Sequence, residues 1–392
     1  MDNVVIKGAT LLDPSTSTNE KKDLSISNGK IEDVAGNISS GNARKVIDAT
    51  GLIVAPGFVD LHAHVAQKVI GLCIDPFESC LMRGTTTVVD AGSCGELNFT
   101  SFNEFVIKKD RVQILAFLNI ESLGMIEFKD TPVWNTDQKW AEFLNSPESS
   151  KMFSNPENTV KTIRENRQTI VGIKWAHHTL ELLEIARKTA DEASCIIMAE
   201  SRLLPDSLKF LKDGDIATHI FHSATHRIAK RRDGITEDGK NILPEVFEAK
   251  RRGVVFDIGH GKGSFSWDVV RLALSEGLEP DTISTDLWLG NVNGPVFDLP
   301  TTMAKFLHLG MSLEKVVAAV TSKPAEILGR KGEFGALAPG TTADLVAFKV
   351  QRGKFPLTDS YGNTEIAESM VVPMHVIKSG EIVKTIANTK SI

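Results

Sequence analysis

The chain has 392 residues, 42% hydrophobic and 24% charged, with a formal net charge of -6 and a pI near 6.0. That length provides for a large core and more than one domain, and the acidic balance argues against a nucleic acid as the main partner. The short basic runs "AKRRDG" (229–234) and "AKRRG" (249–253) read as solvated helix ends.

No apolar run approaches the roughly 20 residues that span a bilayer. The opening "MDNVVIKGAT" has no basic segment followed by an apolar one, so neither a signal peptide nor a membrane partner is expected. Cys73, Cys80, Cys94 and Cys195 form no CxxC pair, which fits reduced thiols. A soluble cytoplasmic protein is the expectation.

In chain order, residues 1–54 alternate apolar and polar in "NVVIKGATLLD", "DLSISNGKIEDVAG" and "KVIDATGLIVAPG". Each reads as a strand ending in a turn. Residues 55–335 alternate apolar runs with helix-like stretches. The runs are "GFVDLHAH", "TTTVVDAG", "VQILAFLNI", "TIVGIKWA", "CIIMAES", "IATHIFHS", "GVVFDIGHG" and "DTISTDLW". Segments such as "HTLELLEIARKTADEAS" and "SWDVVRLALSEGLEP" space their apolar residues as helices do. This α/β pattern predicts a (β/α)8 TIM barrel. The stretch at about 130–160 reads as an irregular insertion. Residues 336–392 return to strands in "GTTADLVAFKV" and "HVIKSGEIVKTIAN". The two β-rich ends are expected to pair into one small discontinuous domain around the barrel.

Most barrel strands end on a polar residue: His62 and His64, Lys174, Glu200, His219, His260 and Asp286. One histidine beside an apolar run is more often a core residue. A ligand-type residue on strand after strand converges on the C-terminal mouth of a barrel, where active sites lie. In His62-Ala63-His64, residues i and i+2 of a strand point the same way and can reach one ion. Such nitrogen and oxygen donors suit Zn²⁺, with Mn²⁺ or Fe²⁺ as alternatives. Lys174 cannot easily stay charged at such a place. Either it snorkels or pairs with a carboxylate, or it is a neutral amine able to capture CO2 as a carbamate.

These residues resemble the amidohydrolase superfamily, whose first-strand motif is HxH. The likeness runs nearly end to end, through "APGFVDLHAH", "RGTTTVVDAGS", "VGIKW", "GDIATHIF", "GVVFDIGHGKGSFSW", "ISTDL" and "TSKPAEILG". It points to the dihydroorotase-like or deacetylase branch. "GALAPGTTADLVAF" resembles that superfamily's return to a small β-sandwich domain formed by both termini. The resemblance implies two divalent metal ions. His62, His64 and Asp286 would hold one, a carboxylated Lys174 would bridge both, and His219 would serve the other. The superfamily usually has a histidine on the fifth strand, where this chain has Glu200. Either Glu200 replaces it as a ligand, or the second site is weak or empty and one metal remains, or the strand alignment is displaced by a residue or more.

The implied chemistry is cleavage of an amide or ester by a metal-activated hydroxide, with Asp286 as ligand and general base or acid. The expected substrate is a small acylated carboxylic acid. A cyclic amidase of the dihydroorotase or hydantoinase kind is the alternative, and a non-catalytic relative of the superfamily a further one. His260, Asn291 and Arg202 are candidate substrate-binding residues. His177 and His178 could line the site, and His222 and His226 read as supporting or structural. A homo-oligomer is expected.

Overall fold

The computed structural model describes residues 4–41, 43–125, 147–176, 179–200, 203–223, 234–236 and 238–388. The N-terminal strands are β1 (Val4–Asp13), β2 (Thr18–Ser27), β3 (Lys30–Ala35), β4 (Lys45–Asp48) and β5 (Ile53–Pro56). After them come seven strands: β6 (Phe58–Ala63), β7 (Thr85–Ala91), β8 (Gln113–Asn119), β9 (Ile170–Trp175), β10 (Ile196–Glu200), β11 (Ile216–Thr218) and β12 (Val255–Phe256). The chain ends with β13 (Leu345–Thr358), β14 (Thr364–Lys378) and β15 (Glu381–Val383).

β6 to β12 form one parallel sheet in sequence order. Residues 282–287 close it. Thr282 bridges to Asp257 after β12, and Leu287 bridges to Ala63 of β6. The amides of His260 and Gly261 reach Ser284 and Thr285 carbonyls on one side, and Asp286 N reaches His62 O on the other. All eight runs read from the sequence therefore take part in one ring. The strands are almost wholly buried, as expected of a parallel sheet covered on both faces.

Helices coat the ring through one apolar face each. In the helix Leu180–Ala193, Leu182, Leu183, Ala186, Ala190 and Ala193 are buried, and Thr179 caps the start by accepting from Leu182 N at 3.2 Å. Such a cap is worth about 1 kcal/mol. Inside the ring, Val59, Leu61, Val89, Leu115, Phe117, Met198 and Ile216 make their own apolar cluster, joined by Ala325 and Phe334.

β6 is not regular. Its register with β7 runs from Asp60↔Val88 to Ala63↔Asp90, three residues against two. A bulge of this kind re-aims side chains, and it lies directly at the HxH motif.

The strands of both termini share a single sheet, in the order β15-β14-β13-β5-β1-β2-β3 with β4 on β1. A separate cluster that includes Ile6, Leu11, Leu24, Ile26, Val54, Leu345 and Ile377 supports it. The β13–β14 hairpin, with strands of 14 and 15 residues, is long enough to leave this sheet and pack along the barrel. Phe355, Leu357 and Met370 join the barrel's outer core.

Of the expected irregular insertion, residues 130–146 lie outside the described residues. The remainder contains the helices Pro147–Met152 and the start of Pro156–Glu165, so its second half is ordered by helix packing against the Leu180–Ala193 helix. Among the described residues, no helix is long and apolar enough to cross a membrane.

Candidate active site

Six side chains from the ends of five ring segments converge at one mouth: β6, β9, β10, β11 and residues 282–287. His64 Nε2 lies 3.0 Å from Asp286 Oδ1, and His62 Nε2 lies 3.5 Å from the same oxygen. These three are the only described residues grouped tightly enough to suit one metal ion. Lys174 Nζ is 3.4 Å from His62 Nε2 and 3.9 Å from Glu200 Oε1. His219 Nε2 is 3.9 Å from the same Glu200 oxygen and 4.0 Å from Asp286 Oδ2. Glu200 thus stands between the amine and the sixth-strand histidine, while Asp286 offers one oxygen to each half of the site. Asp286 is 14% exposed at its side chain and His219 11%, against 1% for His62 and 2% for Lys174, so the Asp286–His219 side of the site is the more open.

Two of these residues hold backbones that L-residues seldom adopt. His219 has φ 64° and Asp286 has φ 48°. Strain of this kind concentrates at functional sites. Glycines make room for it. Gly261 packs so closely that a Cβ there would strike the Asp286 carboxylate, and a Cβ at Gly92 would come within 2.6 Å of Lys174 Cβ and Cγ.

Beneath the mouth lies a layer of buried polar groups. His62 Nδ1 is 3.0 Å from Thr218 Oγ1, which donates to Asp257 Oδ2 at 2.7 Å. Asp257 also accepts from Thr282 and Ser284 at 2.6 and 2.7 Å. His64 Nδ1 is 2.9 Å from Ser93 Oγ, which donates to Asp90 at 2.7 Å. Asp60 accepts from the Thr285 amide at 3.0 Å and from its hydroxyl at 2.5 Å. His219 Nδ1 lies 2.6 Å from the Gly259 carbonyl, which can only accept, so Nδ1 carries a hydrogen.

Burial sets the protonation of this layer. It holds the His62 imidazolium well below its usual range, helped by the positive neighbours Lys174, His219 and His64, so the ring is neutral. It lowers Lys174, although Glu200 and Asp286 oppose the change. It raises Asp90 and Asp257, and pushes Asp60 up to about 7.

This donor set fits a divalent cation. His62 is neutral, and Glu200, Asp286, Asp257 and Asp90 surround the amine of Lys174. Dications would offset that excess of buried acid.

The remaining sequence candidates divide. His260 is fully buried, stacked on Phe265 at 4.5 Å, with Nδ1 2.9 Å from Gly261 O and Nε2 2.6 Å from Lys305 Nζ. Asn291 donates to Asp286 O at 2.7 Å and accepts from Trp288 N at 2.9 Å, which fixes the turn that carries Asp286. His222 is buried. Arg202, His177, His178 and His226 lie outside the described residues.

Sequence reasoning missed several supports. Lys305 burial pushes its amine down to about 7, yet Nζ has three acceptors, His260 Nε2, Pro295 O and Thr358 O. At the hairpin tip, Ser360 Oγ lies 3.2 and 3.1 Å from the carbonyls of His260 and Gly261. Tyr361 OH donates to Gly263 O and accepts from Ser223 N, both at 2.8 Å. No local signal links "DSYGN" to a barrel more than 90 residues away in sequence. The Asp60, Asp90 and Asp257 layer did leave a signal: "FVD", "VVD" and "VFD" each put an aspartate after an apolar pair.

Known proteins bear on this geometry. Residues 153–383 match the amidohydrolase family. A deacetylase of Agrobacterium fabrum is 32% identical over 366 residues, spanning 91% of this chain and 84% of that protein. The chain belongs to the amidohydrolase family. Two solved structures agree with its α/β barrel. A dihydroorotase has a TM-score of 0.85 at 29% identity, covering 99% of this chain and 100% of its own. An adenine deaminase has a TM-score of 0.84 at 29% identity, covering 98% and 100%. This amidohydrolase is a hydrolytic enzyme, and the non-catalytic alternative falls.

Proposed function

We propose that this amidohydrolase is a metal-dependent deacetylase that removes the acyl group from a small N-acyl or O-acyl carboxylic acid. The observation that carries the reading is the cluster of His62, His64 and Asp286 facing Lys174, Glu200 and His219. The end-to-end likeness to the Agrobacterium deacetylase favours acyl removal. In this reading His62, His64 and Asp286 would hold one divalent ion, Glu200 and His219 would hold a second, and carboxylated Lys174 would serve both. Zn²⁺ is the first choice, with Mn²⁺ or Fe²⁺ able to serve. Bound there, such ions supply hydroxide at neutral pH and polarise the scissile carbonyl.

The protein's own groups do the rest. Asp286 takes the proton of the attacking water and returns it to the leaving nitrogen or oxygen. His62 and His64 turn both Nε2 atoms inward, toward Asp286 Oδ1 at 3.5 and 3.0 Å. The ring wall of Val59, Leu61 and Phe117 closes the site from below and excludes bulk water. His260 and Asn291 shape the wall beside Asp286, and Arg202 remains the candidate carboxylate clamp.

The dihydroorotase likeness favours the cyclic amidase alternative. Purified protein should carry metal and release acetate from a panel of N-acetyl and O-acetyl acids, while leaving dihydroorotate and hydantoin intact. Ring opening without acetate release would favour the cyclic amidase. Metal below about 0.2 equivalents, with no hydrolysis after Zn²⁺ or Mn²⁺ and bicarbonate are added, would remove the metalloenzyme reading.

Glu200→His tests the second metal position. It should change the affinity for the second metal equivalent, read by chelator titration, because an imidazole nitrogen replaces a carboxylate oxygen as donor. An unchanged second affinity would exclude Glu200 from that position.

The same reading takes residues 1–54 and 336–392 as a β-sandwich domain and 55–335 as the catalytic barrel. Their shared sheet and separate apolar cluster support it. The free cysteines fit a cytoplasmic location, and assembly into a homo-oligomer, checked by light scattering, belongs to it too.

A further inference from the structure

We infer that Thr218 and Ser93 are positioning residues for the metal site, each a hydroxyl that lets a buried carboxylate fix the tautomer of one ligand histidine. The inference rests on the metal reading above and deepens it. Its observations are two parallel relays, Asp257–Thr218–His62 and Asp90–Ser93–His64.

The direction of each hydrogen is forced. A carboxylate only accepts, so Thr218 Oγ1 must give its hydrogen to Asp257 at 2.7 Å. Its lone pairs then face His62 Nδ1 at 3.0 Å, which must be the donor. Ser93 repeats the arrangement. It donates to Asp90 Oδ2 at 2.7 Å and faces His64 Nδ1 at 2.9 Å. Cys73 Sγ donates to Ser93 Oγ at 3.4 Å, so the hydroxyl is used in full.

The anchors are themselves held. Asp257 is tied by Thr282 and Ser284, and Asp90 by the amides of Val65 and Ser93 at 2.9 and 2.8 Å. Thr218, Ser93, Asp257 and Asp90 are all fully buried. His62 Nδ1 is 3.8 Å from Asp257 Oδ2, too far for a direct bond, so the hydroxyl is the necessary link. Both Nε2 atoms are then available as lone pairs to an ion beside Asp286, whose Oδ1 lies 3.5 and 3.0 Å away. A ring whose tautomer is fixed before the ion arrives loses no free energy on choosing it.

The test uses the full chain. Metal-free protein labelled with ¹⁵N-histidine should show His62 and His64 as Nδ1–H tautomers. Thr218→Val keeps the shape and removes the hydroxyl, and should release His62 to a mixture. Ser93→Ala should do the same for His64. Zinc affinity, read by competition with a chromophoric chelator, should weaken by about 10- to 100-fold in each. Thr218→Ser keeps the hydroxyl and should stay within about threefold of the parent.

The inference needs both changes together. Unchanged tautomers, or unchanged zinc affinity, in folded Thr218→Val and Ser93→Ala would overturn it. Failure of both variants to fold would overturn it as well, since the hydroxyls would then be structural. If the parent binds no zinc, the metal reading fails instead, and the tautomers still decide whether the hydroxyls orient the rings.

Discussion

Asp286→Asn is expected to lower turnover by about 10²- to 10⁴-fold, the range for losing a general acid or base, while the protein stays folded. The substitution isolates the carboxylate. Asp286 has φ 48°, a left-handed backbone, and asparagine tolerates that conformation better than almost any other side chain with a Cβ. The backbone ties to His62 O and to Asn291 Nδ2 do not depend on the carboxylate. Asparagine also keeps the volume that Gly261 leaves free. What is lost is charge and basicity, at the oxygens that lie 3.0 Å from His64 Nε2 and 4.0 Å from His219 Nε2. The loss should fall on kcat, with KM within about threefold, and the melting temperature should hold. Measured acetate release within about threefold of the parent would remove Asp286 from the chemistry.

Why was so much of this site legible in the chain? Strand ends in a closed barrel share one mouth, so a one-dimensional pattern of polar residues after apolar runs maps onto a three-dimensional cluster. His62, His64, Lys174, Glu200, His219 and Asp286 all obey that map. The alternation rule for His62 and His64 gave the right neighbours, but the backbone reaches them through a bulge between Asp60 and Ala63. Period-two reasoning has no term for an inserted residue. Other features depended on distant parts of the chain. The amide of Asn291, a substrate-binding candidate, also holds the Asp286 turn. The ring of His260, another candidate, is held between Phe265 and Lys305, on elements that the sequence keeps apart. Ser360 and Tyr361 reach the mouth only because the β13–β14 hairpin is long enough to climb the barrel.

Lys174→Ala should abolish most activity without unfolding the protein. Removing a hydrogen-bond partner of a metal ligand costs about 10- to 100-fold in metal affinity or rate, so removing a bridging ligand should cost about 100-fold or more. Stability should not follow, because a buried amine is expensive to keep. Lys174 is 2% exposed at its side chain, and burial lowers its proton affinity. The same lowering favours the neutral amine, the form that reacts with CO2. The nitrogen forms the new C–N bond and loses one proton, which gives a carbamate anion. Gly92 packs on Cβ and Cγ of Lys174, so the stem runs in a fixed channel, and the alanine variant should leave a void shaped for a small acid. Formate or propionate should therefore restore part of the lost turnover. Independently of turnover, protein prepared in ¹³C-bicarbonate should show a carbamate signal that Lys174→Ala lacks, and the variant should bind less metal. Full turnover and unchanged metal content in Lys174→Ala would leave the buried amine as a packing residue, and the anion that joins the two halves of the site would have to be Glu200, 3.9 Å from both Lys174 Nζ and His219 Nε2.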